Sequence, residues 1–104
     1  MFCRLAREGE HVARTRGFVA VRDIAPKAPT HLLVLPERHL ESLRDVDQLA
    51  PEDAKELLDF IAATARAEGL DDYRVVANVG PGAGQTVFHL HWHILGGRPL
   101  GGMG

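Results

Sequence analysis

Polar and apolar residues alternate along Phe88-His89-Leu90-His91-Trp92-His93-Ile94. That period of two predicts a β-strand over residues 86–95, because successive strand side chains leave on opposite faces. His89, His91 and His93 then share one face, with neighbours roughly 7 Å apart. Phe88, Leu90, Trp92 and Ile94 take the other face and pack into a core. A different period marks residues 51–69, where Leu57, Leu58, Ile61, Ala62 and Ala65 recur at helical spacing. Pro51 suits the first helical position, Glu52 and Asp53 suit the positive end of the helix dipole, and Gly69 suits the cap. Phe18-Val19-Ala20-Val21 reads as a strand, and so does His31-Leu32-Leu33-Val34-Leu35, stopped by Pro36. Residues 73–78 return to strand character. Residues 11–15 begin a hairpin that turns at Arg16-Gly17. Residues 23–30 hold two prolines and form a loop, residues 39–46 a short helix, and Gly80-Pro81-Gly82-Ala83-Gly84 a turn. Residues 2–6 fit a strand, a helical turn or an extended segment equally. The sum is an α+β domain with a mainly antiparallel sheet, one face covered by the helix and the histidine face turned away from it.

The length of 104 residues fits one compact domain, and 45% hydrophobic with 25% charged residues is a globular composition. A net charge of −2 leaves no broad basic surface for nucleic acid, so an anionic ligand must be held by local donors. The single cysteine, Cys3, rules out an intramolecular disulfide and is compatible with a reducing cytosol, so a cytoplasmic location is expected. Charges at Arg4, Arg7 and Glu8 interrupt the N-terminal region, which does not read as a signal peptide. No segment reaches the roughly 20 apolar residues of a membrane helix, so no membrane partner is expected. The chain carries neither an internal repeat nor a low-complexity tract.

A strand face made only of imidazole calls for an explanation, because a solvated face mixes Thr, Lys, Glu and Ser. Half of the six histidines lie within five residues. One reading is a metal site, since alternate histidines on a strand can converge on an ion. A second is nucleophilic catalysis at phosphorus, since neutral imidazole can attack directly and crowded rings disfavour protonation. The preceding Gly82-Ala83-Gly84-Gln85-Thr86 favours the second, because small residues and exposed amides can cradle an anion. A cluster without any role is the weakest of the three readings.

His89-Leu90-His91-Trp92-His93-Ile94-Leu95 resembles the His-φ-His-φ-His-φ-φ signature of the histidine-triad (HIT) superfamily. Two more blocks resemble its Hint-type branch: Asp23-Ile24-Ala25-Pro26-Lys27-Ala28-Pro29-Thr30-His31, and Tyr73-Arg74-Val75-Val76-Ala77-Asn78 followed by Gly84-Gln85-Thr86-Val87. The likeness runs from about Phe2 to Leu100. It implies one HIT domain over residues 1–104, with a five-stranded antiparallel sheet per subunit, one long helix and a short helix. It also implies a homodimer that hydrolyses purine nucleoside 5′-phosphoramidates and related adenylates without a metal cofactor.

Carried over position by position, the resemblance makes His91 the nucleophile that attacks the α-phosphorus through a covalent nucleotidyl-His91 intermediate. His93 would bond the phosphate or the leaving group, and His89 and His31 would support a proton relay behind His91. Asp23 would bind the ribose hydroxyls. Val21, Ile24, Phe2 and Leu5 would line the base pocket, and Asn78, Gly84, Gln85 and Thr86 would hold the phosphate. Thr86 stands where a serine is common and keeps the hydroxyl. His11 and His39 match no catalytic position and read as surface or structural. The segment between Cys3 and Phe18 is several residues shorter than usual. Some members bind a structural zinc through Cys-x-x-Cys and two histidines; here Cys3, His39 and His89 make an incomplete set, so no bound metal is expected. Residues 101–104 read as a flexible tail and lack the aromatic tail that, in relatives, shapes the partner's leaving-group pocket. Dinucleoside polyphosphate hydrolysis and nucleotide binding with little turnover are the rival functions.

Overall fold

The computed structural model describes residues 10–102. Phe2, Leu5 and Cys3 lie outside them. Five strands form one antiparallel sheet: β1 (Ala13–Thr15), β2 (Phe18–Arg22), β3 (Thr30–Pro36), β4 (Tyr73–Val76) and β5 (Trp92–Gly96), in the order β1-β2-β3-β5-β4. Arg16-Gly17 closes the first hairpin, with Gly17 at φ +91°, a backbone that glycine adopts without a steric penalty. β3 is central, pairing Val21 with Leu33 on one side and His93 with Leu33 on the other.

The long helix, α1 (Pro51–Ala67), begins at Pro51 with Glu52 and Asp53 in its first turn. It ends in a Schellman arrangement: Gly69 at φ +76° donates to Arg66 O, and Leu70 donates to Ala65 O. Its inner face is Leu57, Phe60, Ile61, Thr64 and Ala65. This corrects the expected stripe, since Leu58 is exposed and Phe60 takes the buried place. The inner face packs on Phe18, Ala20, Leu32, Val34, Leu90, Trp92 and Ile94 in one core. A smaller cluster of Val19, Val21, Leu33 and Leu35 lies on the other sheet face, with Val87 against it. So α1 covers one face, and the other holds the alternate residues of β3 and β5, among them His31 and His93. No helix of the described residues is long and apolar enough to cross a membrane.

The histidine segment is not strand throughout: β5 starts only at Trp92. The register explains why. β3 pairs Val34 with Trp92, so continuing it would set Pro36 opposite Leu90. Pro36 has no N–H to give a ladder. Leu90 donates instead to Leu40 O, across the exit from β3. Leu90, Trp92 and Ile94 are buried as the alternation predicts, but Phe88, in the irregular stretch, is exposed. Pro36 itself is the last residue of β3 rather than the first beyond it. The short helix is a 3₁₀ segment, Leu43–Gln48, opened by the Ser42 hydroxyl accepting from Arg44 N–H.

Candidate functional site

The uncovered sheet face carries a cavity of about 670 Å³. His91 and His93 line it together with Val21, Asp23, Ile24 and Thr86. Their rings stand 5.0 Å apart, centroid to centroid. Leu33 and Val87 floor it from the smaller apolar cluster. Ile24 is 98% exposed, so it forms a rim rather than a packed wall. His11 also lines this cavity, together with Glu10 and Val12. No pattern in the sequence pointed to those three.

The hydrogen bonds assign the ring tautomers. His91 Nδ1 lies 2.8 Å from His89 O, and a carbonyl can only accept, so Nδ1 carries the proton. In the neutral ring the lone pair then belongs to Nε2. Lys27 N–H donates to His31 Nδ1 at 3.0 Å, which puts the His31 proton on Nε2. His31 Nε2 is 2.8 Å from His93 Nδ1 and 3.3 Å from Asp23 Oδ2. His93 Nδ1 therefore accepts, and its own proton sits on Nε2. The sequence of donors runs from a backbone amide through His31 to His93, so His31 stands behind His93 and not behind His91.

Burial reinforces the neutral state. Desolvation, with the neighbouring His91 and His31 rings, pushes the His93 pKa down to about 4. Desolvation also lowers the His31 pKa; Asp23 opposes the shift and Lys27 adds to it. His89 is buried and lowered by desolvation, partly offset by its bond to Pro36 O.

His89 faces a different neighbourhood. Its Nε2 donates to Pro36 O at 3.0 Å, and its Nδ1 lies 3.2 Å from His39 Nδ1. Its link to His91 runs through its main-chain carbonyl. The three histidines of the pattern thus do not converge as one ligand set. Among the described residues, the donor atoms that come within 4.8 Å of one another are those of Asp23, His31 and His93. There the close His31–His93 contact is an N–H···N bond.

The glycine turn sits beside the cavity. Gly80 (φ +83°) and Gly84 (φ +97°) flank a single 3₁₀ turn, Pro81–Ala83. Gln85 is buried and fully committed: Oε1 accepts from Gly80 N–H, and Nε2 donates to Glu41 O and Val87 O. Its own amide donates to Gly80 O. Gln85 therefore ties the turn to the residue 41 segment, and its polar groups face protein rather than the cavity. Thr86, exposed, lines the cavity. Asp23 Oδ1 accepts from Ala25 N–H, which closes the loop before β3. Asn78 lines a second cavity of about 660 Å³, on the other side of His93.

The comparisons agree on one family. The model of the HIT domain matches residues 6–100. A purine nucleoside phosphoramidase of Escherichia coli is 41% identical over 86 residues, covering 81% of this chain and 72% of the relative. An uncharacterised HIT-like protein of Chlamydia trachomatis is 40% identical, covering 92% of this chain and 87% of the relative. Among solved structures, a HIT family hydrolase from Legionella pneumophila superposes with a TM-score of 0.87 at 40% identity, covering 95% of this chain and 93% of that one. A histidine triad protein from Clostridium difficile gives 0.89 at 33% identity, covering 99% and 94%.

Proposed function

The chain belongs to the HIT domain family, and on that premise we propose that it is a purine nucleotide-binding hydrolase. Its substrates are nucleoside 5′-phosphoramidates and related adenylates, cut at the α-phosphate. The observation that carries this reading is the tautomer pair: a lone pair on His91 Nε2 beside an N–H on His93 Nε2. Displacement at phosphorus is served by a nucleophile and by a hydrogen-bond donor for the charge that grows on the phosphoryl oxygens. The phosphoramidase activity named for the Escherichia coli relative supports the same reading.

In the first step His91 Nε2 forms a bond to the α-phosphorus as the bond from phosphorus to the leaving nitrogen breaks. The leaving nitrogen departs as the amine with a proton drawn from solvent, while His93 keeps its Nε2 proton and donates it in a hydrogen bond to a phosphoryl oxygen, where charge grows. The charge of that solvent proton reappears on the nucleotidyl-His91 ring, and His89 O holds the Nδ1 proton throughout. In the second step water attacks phosphorus as the bond to His91 Nε2 breaks, one water proton is lost to solvent, and the nucleoside monophosphate leaves with His91 neutral again. His31 and Lys27 N–H keep His93 in the tautomer that makes it a donor on the cavity side. Asp23 and the Val21–Ile24 wall would take the ribose and base, and Thr86 with the Gly84 turn the phosphate oxygens. A homodimer fits the outer edge of β4, where Tyr73 and Val75 leave an apolar margin exposed.

The test is hydrolysis of a fluorogenic adenosine phosphoramidate by the wild type, with and without EDTA, beside His91→Ala. Turnover that survives EDTA and is lost in the variant supports the reading. Activity abolished by EDTA and restored by zinc would overturn the nucleophile. Adenosine monophosphate binding without turnover of any adenylate would favour a binding protein. Light scattering on an eluting peak reads the dimer directly.

A further inference from the structure

His93 and Asp23 line both cavities on the open face, so the two hollows meet at His93. Their chemistry differs. The first sets the apolar Val12, Val21, Ile24, Leu33 and Val87 beside its polar residues, and its cation Arg22 is paired with Glu68 at 3.0 Å. The second is lined by Lys27, Arg74 and Arg98. Its one carboxylate, Asp23, is already held by Ala25 N–H and His31.

The register brings these cations to the site. Arg74 of β4 pairs with Leu95 of β5, and Leu95 with His31 of β3. Arg74 is thus two strand spacings, about 10 Å, from His31 along one row of the face. Arg98, two residues beyond β5, donates to Lys27 O and so brings its guanidinium to the Lys27 loop. Arg74 donates to the carbonyls of Gly101 and Gly102. Carbonyl partners orient a guanidinium but leave its charge in place. Among the described residues none of these three cations stands within 4.0 Å of a carboxylate.

Resting on the phosphoramidate reading above, we propose that the second cavity is an anion subsite for the leaving group. The preferred substrates are nucleoside 5′-phosphoramidates whose departing amine carries a negative charge, such as the carboxylate of an N-linked amino acid. In-line displacement sends the leaving group away from the attacking atom. His91 lines the first cavity and is not part of the lining of the second. A group departing from His91 past His93 therefore enters the cationic hollow. Lys27, Arg74 and Arg98 set specificity there and do not touch the reacting atoms.

The test uses two adenosine 5′-phosphoramidates of one amino acid, one with a free carboxylate and one with a primary amide, titrated against His91→Ala. The carboxylate form is expected to bind about tenfold more tightly, in line with one charge-assisted contact. The ratio should fall towards one in His91→Ala combined with Arg98→Gln or Lys27→Gln, and Arg98→Lys should restore part of it. Thermal melting verifies that each variant folds. An affinity ratio near one, or a ratio unchanged by either glutamine substitution, would overturn the subsite. Turnover of the same pair by the wild type is scored separately. No turnover with a preserved affinity ratio counts against the nucleophile and leaves the anion subsite supported.

Discussion

Replacing Gln85 separates two roles for the glycine turn, since the family resemblance sets it on the phosphate and the structure turns it into the protein. Gln85→Leu keeps the volume but removes three hydrogen bonds at 2.8, 2.7 and 3.0 Å. The Gly80 amide is buried, so losing its acceptor costs about 1–3 kcal/mol. The bonds to the Glu41 and Val87 carbonyls are only part-buried, so losing each costs about 0.5–1 kcal/mol. The total, about 2–5 kcal/mol, corresponds to a fall of roughly 10–25 °C in Tm for a chain of this size. Circular dichroism melting at one fixed protein concentration measures it, and calorimetric titration with adenosine monophosphate reads the cavity. Saturating nucleotide should still raise the Tm of the variant. A Tm within about 3 °C of wild type, accompanied by lost nucleotide affinity, would refute the reasoning and return the side chain to the phosphate.

Two further outcomes follow from the same geometry. His93 is held near pKa 4 against about 6.5 in an unfolded chain, so the unfolded state binds more protons between those values. Its contribution, at most about 3 kcal/mol, is complete above pH 6.5 and lost as pH falls towards 4. Urea unfolding across that range should show a pH slope steeper by nearly one proton in wild type than in His93→Gln; equal slopes would contradict the buried neutral ring. Gly97 sits at φ +97°, and a Cβ there would lie 3.0 Å from Pro29 Cβ, just before His31. Gly97→Ala should cost about 1–3 kcal/mol and lower Tm by roughly 5–15 °C, whereas Gly82→Ala, where a Cβ meets nothing, should change it little; equal shifts would remove the steric argument.

The strands β2 and β3 were legible because burial on both faces leaves a continuous apolar run, and the long helix because burial on one side imposes a period. Leu58 and Phe60 show where period alone fails. Both lie within helical spacing of Leu57 or Ile61, so the period admits either, and the fold buries Phe60 and exposes Leu58. The strand over residues 86–91 failed for a backbone reason, the amide Pro36 lacks, which appears in the sequence only once the register is known. The histidines His31, His91 and His93 were identifiable as a group, but their connectivity was not. Which ring stands behind which depends on Lys27 N–H and His89 O, main-chain atoms that no residue name reveals. The same holds for the pairing of His39 with His89 and for the place of His11 in the cavity wall.

Both tautomers at the site are set by main-chain groups: an amide fixes His31, and through it His93, and a carbonyl fixes His91. Every residue type provides a carbonyl, and every one except proline an amide. Positions 27 and 89 can therefore change their side chains over generations without rewriting where the protons sit on the reacting rings. What the lineage must preserve is the path of the chain through those two points. The surface around the donor stays open to variation while the proton assignment is inherited with the fold.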